Sequence, residues 1–193
     1  MTKLNRRTVA ARLLRDRGDA LVVTGLGNPS YDVMAVGDSP ANFHLWGAMG
    51  GAAMVGLGIA LAQPKRRVIV VTGDGEMLMG LGALATIAVE RPSNLAIVVL
   101  DNEFYAETGM QATHTGRGVD LAGIAKAAGF PEAVMVRSEQ ELEAFAGKLY
   151  VPQLLFGVVK ISTDPNPVVL PPRDGPYLRG RFREALMGRE AHR

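Results

Sequence analysis

A three-layer α/β sandwich around a six-stranded, mainly parallel sheet is the fold this sequence predicts. Three observations carry the prediction. Residues 68–72 (VIVVT) and 95–100 (LAIVVL) are continuous, mostly β-branched apolar runs, the pattern of strands buried on both faces. Between them Leu78, Leu81, Leu84, Ala85 and Ala88 recur at three- and four-residue spacing, and Pro92-Ser93 stops the pattern. The alternation of apolar runs and helical stretches then continues on both sides of this βαβ unit.

In order, residues 4–17 place Val9, Leu13 and Leu14 on one face among arginines, an amphipathic helix closed by Gly18. Residues 20–24 (ALVVT) are a buried strand, followed by a turn over residues 25–30 that holds Gly25 and Gly27. This GxG lacks a third glycine, so no dinucleotide fingerprint is supported. Residues 31–36 are expected as a short second strand, 37–45 as a loop, and 49–62 as a Gly/Ala-rich helix that packs closely on the sheet or on a partner subunit. After the central unit, residues 105–118 form a long polar loop. A helix follows over 120–128, a strand over 133–137, a helix from the capping box Ser138–Glu141 to about Tyr150, and a sixth strand over 154–161. From Ser162 the chain is irregular until a last helix over 177–187.

The 193 residues are expected to form one domain. A net charge of +2 with no long basic run gives no footprint for nucleic acid, and no cysteine is present for disulfides, thiolate metal sites or cysteine nucleophiles. No apolar stretch reaches the ~20 residues of a bilayer span, and the N-terminus lacks a signal-peptide core, so a cytoplasmic protein is expected.

Both strands of the parallel unit end on one edge, which brings Asp74 and Asn102 together. A hard carboxylate oxygen and a neutral amide oxygen suit octahedral Mg²⁺ that also takes phosphate oxygens. Gly73 and Gly75 permit a sharp turn, and the N–H groups of Glu76 and Met77 at the helix start can face an anion. A tight turn with a capping Asp and an unrelated Asn meets the same spacing, and the residues alone leave both readings open. In the loop, Glu107, Gln111 and His114 are candidate contacts. His114 has two readings, a proton shuttle near neutral pH or a surface residue.

Gly73-Asp74-Gly75, twenty-five further residues and Asp101-Asn102 resemble the cofactor motif of thiamine diphosphate-dependent enzymes. The resemblance implies Mg²⁺ held by Asp74, the Asn102 side chain and the Phe104 carbonyl, with Gly25 and Tyr105 also near the cofactor. It further implies that the Gly47 carbonyl receives the aminopyrimidine amine and that Met49 wedges the cofactor into its bent form. Core filling is the other reading of Met49. NFHLWGAMG (42–50), GDG with LATIA, DNEFYAETGMQATHT (101–115) and DLAGIAKAAGF (120–130) resemble the beta subunits of sulfopyruvate decarboxylase and the matching half of phosphonopyruvate decarboxylase. His44 stands where those have an aromatic, and Met110 where they have glycine. The resemblance implies a diphosphate-binding subunit that acts on a small 2-oxo acid only in a hetero-oligomer. The pyrimidine-domain (alpha) partner then supplies the activating Glu. A split carboligase or a non-catalytic regulatory subunit are the alternatives.

Overall fold

The computed structural model describes residues 3–192. Helix α1 (Arg6–Leu14) begins at Asn5, whose side chain accepts the N–H groups of Arg7 and Thr8. Strand β1 (Leu21–Thr24) is buried throughout. Helix α2 (Asn28–Val36) and the three-residue strand β2 (Asn42–His44) come next. The expected strand over 31–36 is therefore helical, and the sixth strand comes from the expected loop. Pro29 in the first turn fixes a helical φ, Gly37 ends the helix, and the buried residues Pro29, Ser30, Asp32 and Val33 follow a helical rather than an alternating pattern.

Helix α3 (Ala52–Ala62) starts three residues later than expected and contains no polar residue. A Cβ on Gly56 would lie 2.2 Å from Val70 Cγ2, so the glycine lets this helix lie against strand β3 (Val68–Gly73). The helix expected after Gly75 is two helices, α4 (Asp74–Met79) and α5 (Ala83–Glu90), broken at Gly80. Strand β4 (Leu95–Asp101) is buried along its whole length. The expected loop contains a small antiparallel pair, β5 (Phe104–Tyr105) with β6 (Gln111–Ala112), then a 3₁₀ turn over Thr115–Arg117. Helix α6 (Leu121–Ala128), strand β7 (Glu132–Val136), helix α7 (Glu139–Lys148), strand β8 (Leu155–Lys160) and helix α8 (Gly175–Met187) complete the order. At α7 the Ser138 hydroxyl accepts the Glu141 N–H, as the capping pattern predicts.

The main sheet has the order β2-β1-β3-β4-β8-β7, and every pairing is parallel. Successive strand residues face opposite layers. Val68, Val70, Leu95 and Ile97 meet α3, α5 and α6, whereas Ile69, Val71, Ala96 and Val98 meet α1 and α7. In the β3–β4 register Gly73 lies beside Leu100, which sets Asp74 and Asp101 at the same height on neighbouring strands. The tail before α8 crosses back over the first half of the chain. Trp46 Nε1 donates to the Pro172 carbonyl at 2.6 Å, and the Arg173 guanidinium lies 5.1 Å from the Trp46 ring centre. Arg181 pairs with Asp38 at 2.6 Å, so it is anchored instead of free in solvent.

Candidate active site at the carboxyl edge of the sheet

A cavity of about 430 Å³ opens where β1, β3 and β4 end, the edge at which open parallel sheets bind ligands. Of the residues singled out from sequence, Met49, Gly73, Asp74, Gly75, Glu76, Asn102, Phe104, Tyr105, Glu107 and Gln111 line it. Met49 is 40% exposed on its wall, so it fills no core. Gly47 is exposed beside it, with open space around its Cα. Between them Ala48 has φ 55°, and Gly50 has φ 93°, so the segment turns sharply before α3. Gly50 and Gly80 touch through their backbones: a Cβ on Gly80 would lie 2.2 Å from the Gly50 carbonyl oxygen. This contact explains the break between α4 and α5.

Asp74 stands at the start of α4, 2% exposed. Its Oδ2 accepts the Thr113 hydroxyl at 2.5 Å and has the Thr115 hydroxyl at 3.2 Å. Burial pushes its carboxyl up to about 6; the Thr113 hydrogen bond opposes the rise and the nearby Asp101 charge adds to it. Asn102 is buried as well, and its Oδ1 accepts the Phe104 N–H at 2.9 Å in a tight turn that aims the chain back along the cavity. Gly75 is required by close approach: a Cβ there would lie 2.4 Å from the Tyr105 ring, which covers this side of the site.

Glu76 is expected through its N–H at the start of α4; its side chain has a separate, structural part. Its carboxylate turns away from solvent and accepts the Leu26 N–H at 3.1 Å, the Ala52 N–H at 3.3 Å and the Thr72 hydroxyl at 2.9 Å. Burial raises its pKa, and these donors offset part of the rise. Gly25 lies behind this carboxylate; any side chain there would collide with it. Gly25 therefore supports the wall without lining it. Met77 is 2% exposed and belongs to the hydrophobic core. His114 is exposed and lies outside the cavity lining. Its neighbours Thr113 and Thr115 point inward instead, one just after β6 and the other opening the 3₁₀ turn that His114 (φ −67°, ψ −27°) caps.

Sequence reasoning missed four participants. Asp32 lines the cavity with its carboxylate held by Arg6 Nη1 at 2.7 Å and Arg7 Nε at 3.0 Å. Thr113 and Thr115 carry no periodic signal, and only the Thr-His-Thr alternation marks them. Lys160, at the end of β8, reaches Asp101 Oδ2 at 2.7 Å and Glu103 at 2.8 Å. Burial pulls the Lys160 ammonium down, but its bonds to Asp101 and Glu103 outweigh this and raise it. Among the described residues no group of three His, Cys, Asp or Glu side chains forms a metal cage, and no helix is long and apolar enough to cross a membrane.

A family model, thiamine pyrophosphate enzyme, C-terminal TPP binding domain, matches residues 29–150. The beta subunit of sulfopyruvate decarboxylase from Methanothermobacter thermautotrophicus is 48% identical over 112 residues, which are 58% of this chain and 60% of that protein. Phosphonopyruvate decarboxylase of Streptomyces viridochromogenes is 46% identical over 112 residues, again 58% of this chain but 28% of that protein. The match thus spans less than two thirds of either relative. The benzoylformate decarboxylase structure from Polynucleobacter necessarius superposes with a TM-score of 0.71 at 19% identity, covering 86% of this chain and 34% of that one, which is a likeness of fold.

Proposed function

The chain belongs to the thiamine pyrophosphate enzyme family through its C-terminal TPP binding domain, and from that premise we propose that it is the diphosphate-binding subunit of a split 2-oxo acid decarboxylase. The meeting of Asp74, Asn102 and Phe104 on one cavity wall carries this reading. The donor set fits a magnesium diphosphate. Asp74 is a buried carboxylate with no cationic side chain bonded to it among the described residues, and the absence of a protein cage suits an ion that takes most of its ligands from phosphate and water. Asp74, the Asn102 side chain and the Phe104 carbonyl would hold Mg²⁺. Thiamine diphosphate, when bound, supplies the nucleophilic carbon and the electron sink for loss of carbon dioxide.

The protein's share is binding and geometry. Met49 would prop the cofactor from one wall, the Gly47 carbonyl would receive its amine, and Tyr105 would shield the site from water. The activating carboxylate is expected from a pyrimidine-domain partner, as the family resemblance implies, and two buried acids of this cavity are already committed. Asp32 is bound by two arginines and Glu76 by two amides and a hydroxyl. The relatives point the same way: the shared region is 60% of a protein named as a subunit but 28% of one named as a whole decarboxylase. Sulfopyruvate and phosphonopyruvate are the first substrates to try, since they stand in the relatives' names.

The test measures carbon dioxide and aldehyde release from these two acids and from uncharged aliphatic and aromatic 2-oxo acids. The chain is assayed alone and then co-expressed with a pyrimidine-domain partner. Turnover only on co-expression is expected. Full turnover by the lone chain would overturn the split site, and condensation products in place of aldehyde would make the protein a carboligase.

A further inference from the structure

The loop that brought His114 to attention does its work through the two residues beside it. Thr113 and Thr115 are 0% and 6% exposed, within a segment whose other residues from 106 to 118 face solvent. Buried hydroxyls need partners, and these find carboxylates. Thr113 Oγ1 lies 2.5 Å from Asp74 Oδ2. Thr115 Oγ1 lies 2.8 Å from Asp101 Oδ1, 3.2 Å from Asp74 Oδ2 and 2.9 Å from Thr113 Oγ1. Each hydroxyl has a single proton to give. The Thr113 proton goes to Asp74 by the shorter contact, and the Thr115 proton goes to Asp101. Thr113 therefore grips Asp74, while Thr115 spans the two carboxylates. Both threonines meet Asp74 at Oδ2. Oδ1 of Asp74 has no side-chain partner among the described residues, and the carboxylate lines the cavity.

We propose that Thr113, assisted by Thr115, is the positioning residue for the metal carboxylate, holding Asp74 by the oxygen a cation does not use so that the other faces the cation. The inference rests on the reading of Asp74 as a Mg²⁺ ligand. A carboxylate bonded at one oxygen has its plane fixed, and such outer partners set how well a ligand serves its metal. The grip is tied to the hairpin as well, because the Thr113 N–H donates to the Glu103 carbonyl at 2.9 Å, next to Asn102. The segment that carries Thr113 is thereby anchored beside both side chains assigned to the metal.

The experiment titrates Mn²⁺ into the chain co-expressed and purified with its pyrimidine-domain partner, with thiamine diphosphate present, following free Mn²⁺ by electron paramagnetic resonance. Thermal melting of each metal-free variant keeps the folded fraction known. Thr113→Val, which keeps the shape and removes the hydroxyl, should weaken Mn²⁺ binding per folded chain by about 10- to 100-fold. Thr113→Ser should restore it to within about threefold, and Thr115→Val should lose less than Thr113→Val. A purely structural role would lower the melting temperature of Thr113→Val and leave Mn²⁺ affinity in place, which would overturn the proposal. Asp74→Ala separates the two claims. If Asp74→Ala loses binding while Thr113→Val retains it, only the positioning role fails. If the wild-type complex binds no Mn²⁺, or the Asp74→Ala complex binds as the wild type does, the metal reading falls and the positioning role falls with it.

Discussion

Asp74, the first residue after β3, and Asp101, the last of β4, lie at the ends of neighbouring parallel strands, 2% and 1% exposed. Yet they are solved in opposite ways. Asp101 is completed from within: Lys160 lies 2.7 Å from one oxygen, and the Glu103 N–H and Thr115 hydroxyl serve the other. Asp74 receives the Thr113 hydroxyl proton, with Thr115 close by, and no cationic side chain among the described residues. A buried carboxylate without a cation is costly, and folds keep one where a ligand completes it. On the proposed function, the contrast separates a structural acid from a functional one by surroundings alone, since the two side chains are identical.

The strongest way to break the contrast is to remove the incomplete member. Asp74→Ala should weaken metal-dependent thiamine diphosphate binding by more than about 100-fold while the metal-free fold persists, since no internal cation is orphaned. Calorimetry against circular dichroism separates the two effects, and unchanged affinity would make Asp74 a second structural acid.

A third buried ionisable group extends the comparison to a base. His44, 2% exposed on β2, bonds Thr24 through Nδ1 but leaves Nε2 without a partner. Burial lowers its pKa from 6.5 to about 4. As pH falls, the unfolded chain takes up the proton first. Stability is intact above pH 6.5, declines below it and is lost by about pH 4, to a total of about 3 kcal/mol. Urea titrations across that range should show the decline, and His44→Phe should flatten it. A profile equally steep in the variant would assign the loss elsewhere.

Lys160→Met tests the completed member. It strands the Asp101 charge, and breaking a buried pair in this way should cost about 2–3 kcal/mol, toward the low end because Glu103 keeps part of the pairing exposed. Denaturant midpoints check this. A neutral result would mean that Asp101, like Asp74, tolerates isolation, and the contrast would dissolve.

The smallest effect lies at the hairpin. Met110 has φ 61° in the turn between β5 and β6, a conformation natural for glycine. Met110→Gly should raise the melting temperature modestly, by about 1 kcal/mol of relieved strain. A decrease would show that the exposed methionine earns more through packing than its backbone costs.

Legibility divided along similar lines. The sheet's central strands were readable because β-branched runs such as 68–72 leave no alternative to double-sided burial. Strand β2 was not, since Asn42-Phe-His44 pairs through backbone contacts with β1 and carries polar side chains whose burial depends on Arg17 and Thr24, far away in sequence. Residues 31–36 looked extended because Tyr31, Val33 and Val36 are common in strands, yet Pro29 and Gly37 bracket a helix. At the site, Asp74 and Asn102 were visible as polar residues closing apolar runs. The groups that serve them were not: Thr113 lies 39 residues from Asp74, and Lys160 completes Asp101 across the β4–β8 pairing, a register that no local pattern encodes.

The contact between Gly50 and Gly80 has a consequence for how such a site changes over generations. The turn that carries Met49 and the end of the helix that begins at Asp74 share one backbone surface, with no room for a methyl group at either glycine. Neither segment can drift alone, because a shift in one is transmitted to the other and to the residues that each presents. Substitution is therefore closed along this floor and open along the exposed hairpin, where Glu107, Thr108 and Met110 can vary without moving Asp74 or Asn102. The divergence of substrate preference in chains of this kind should be read from residues 106–111, with the two glycines serving as the fixed origin against which it is measured.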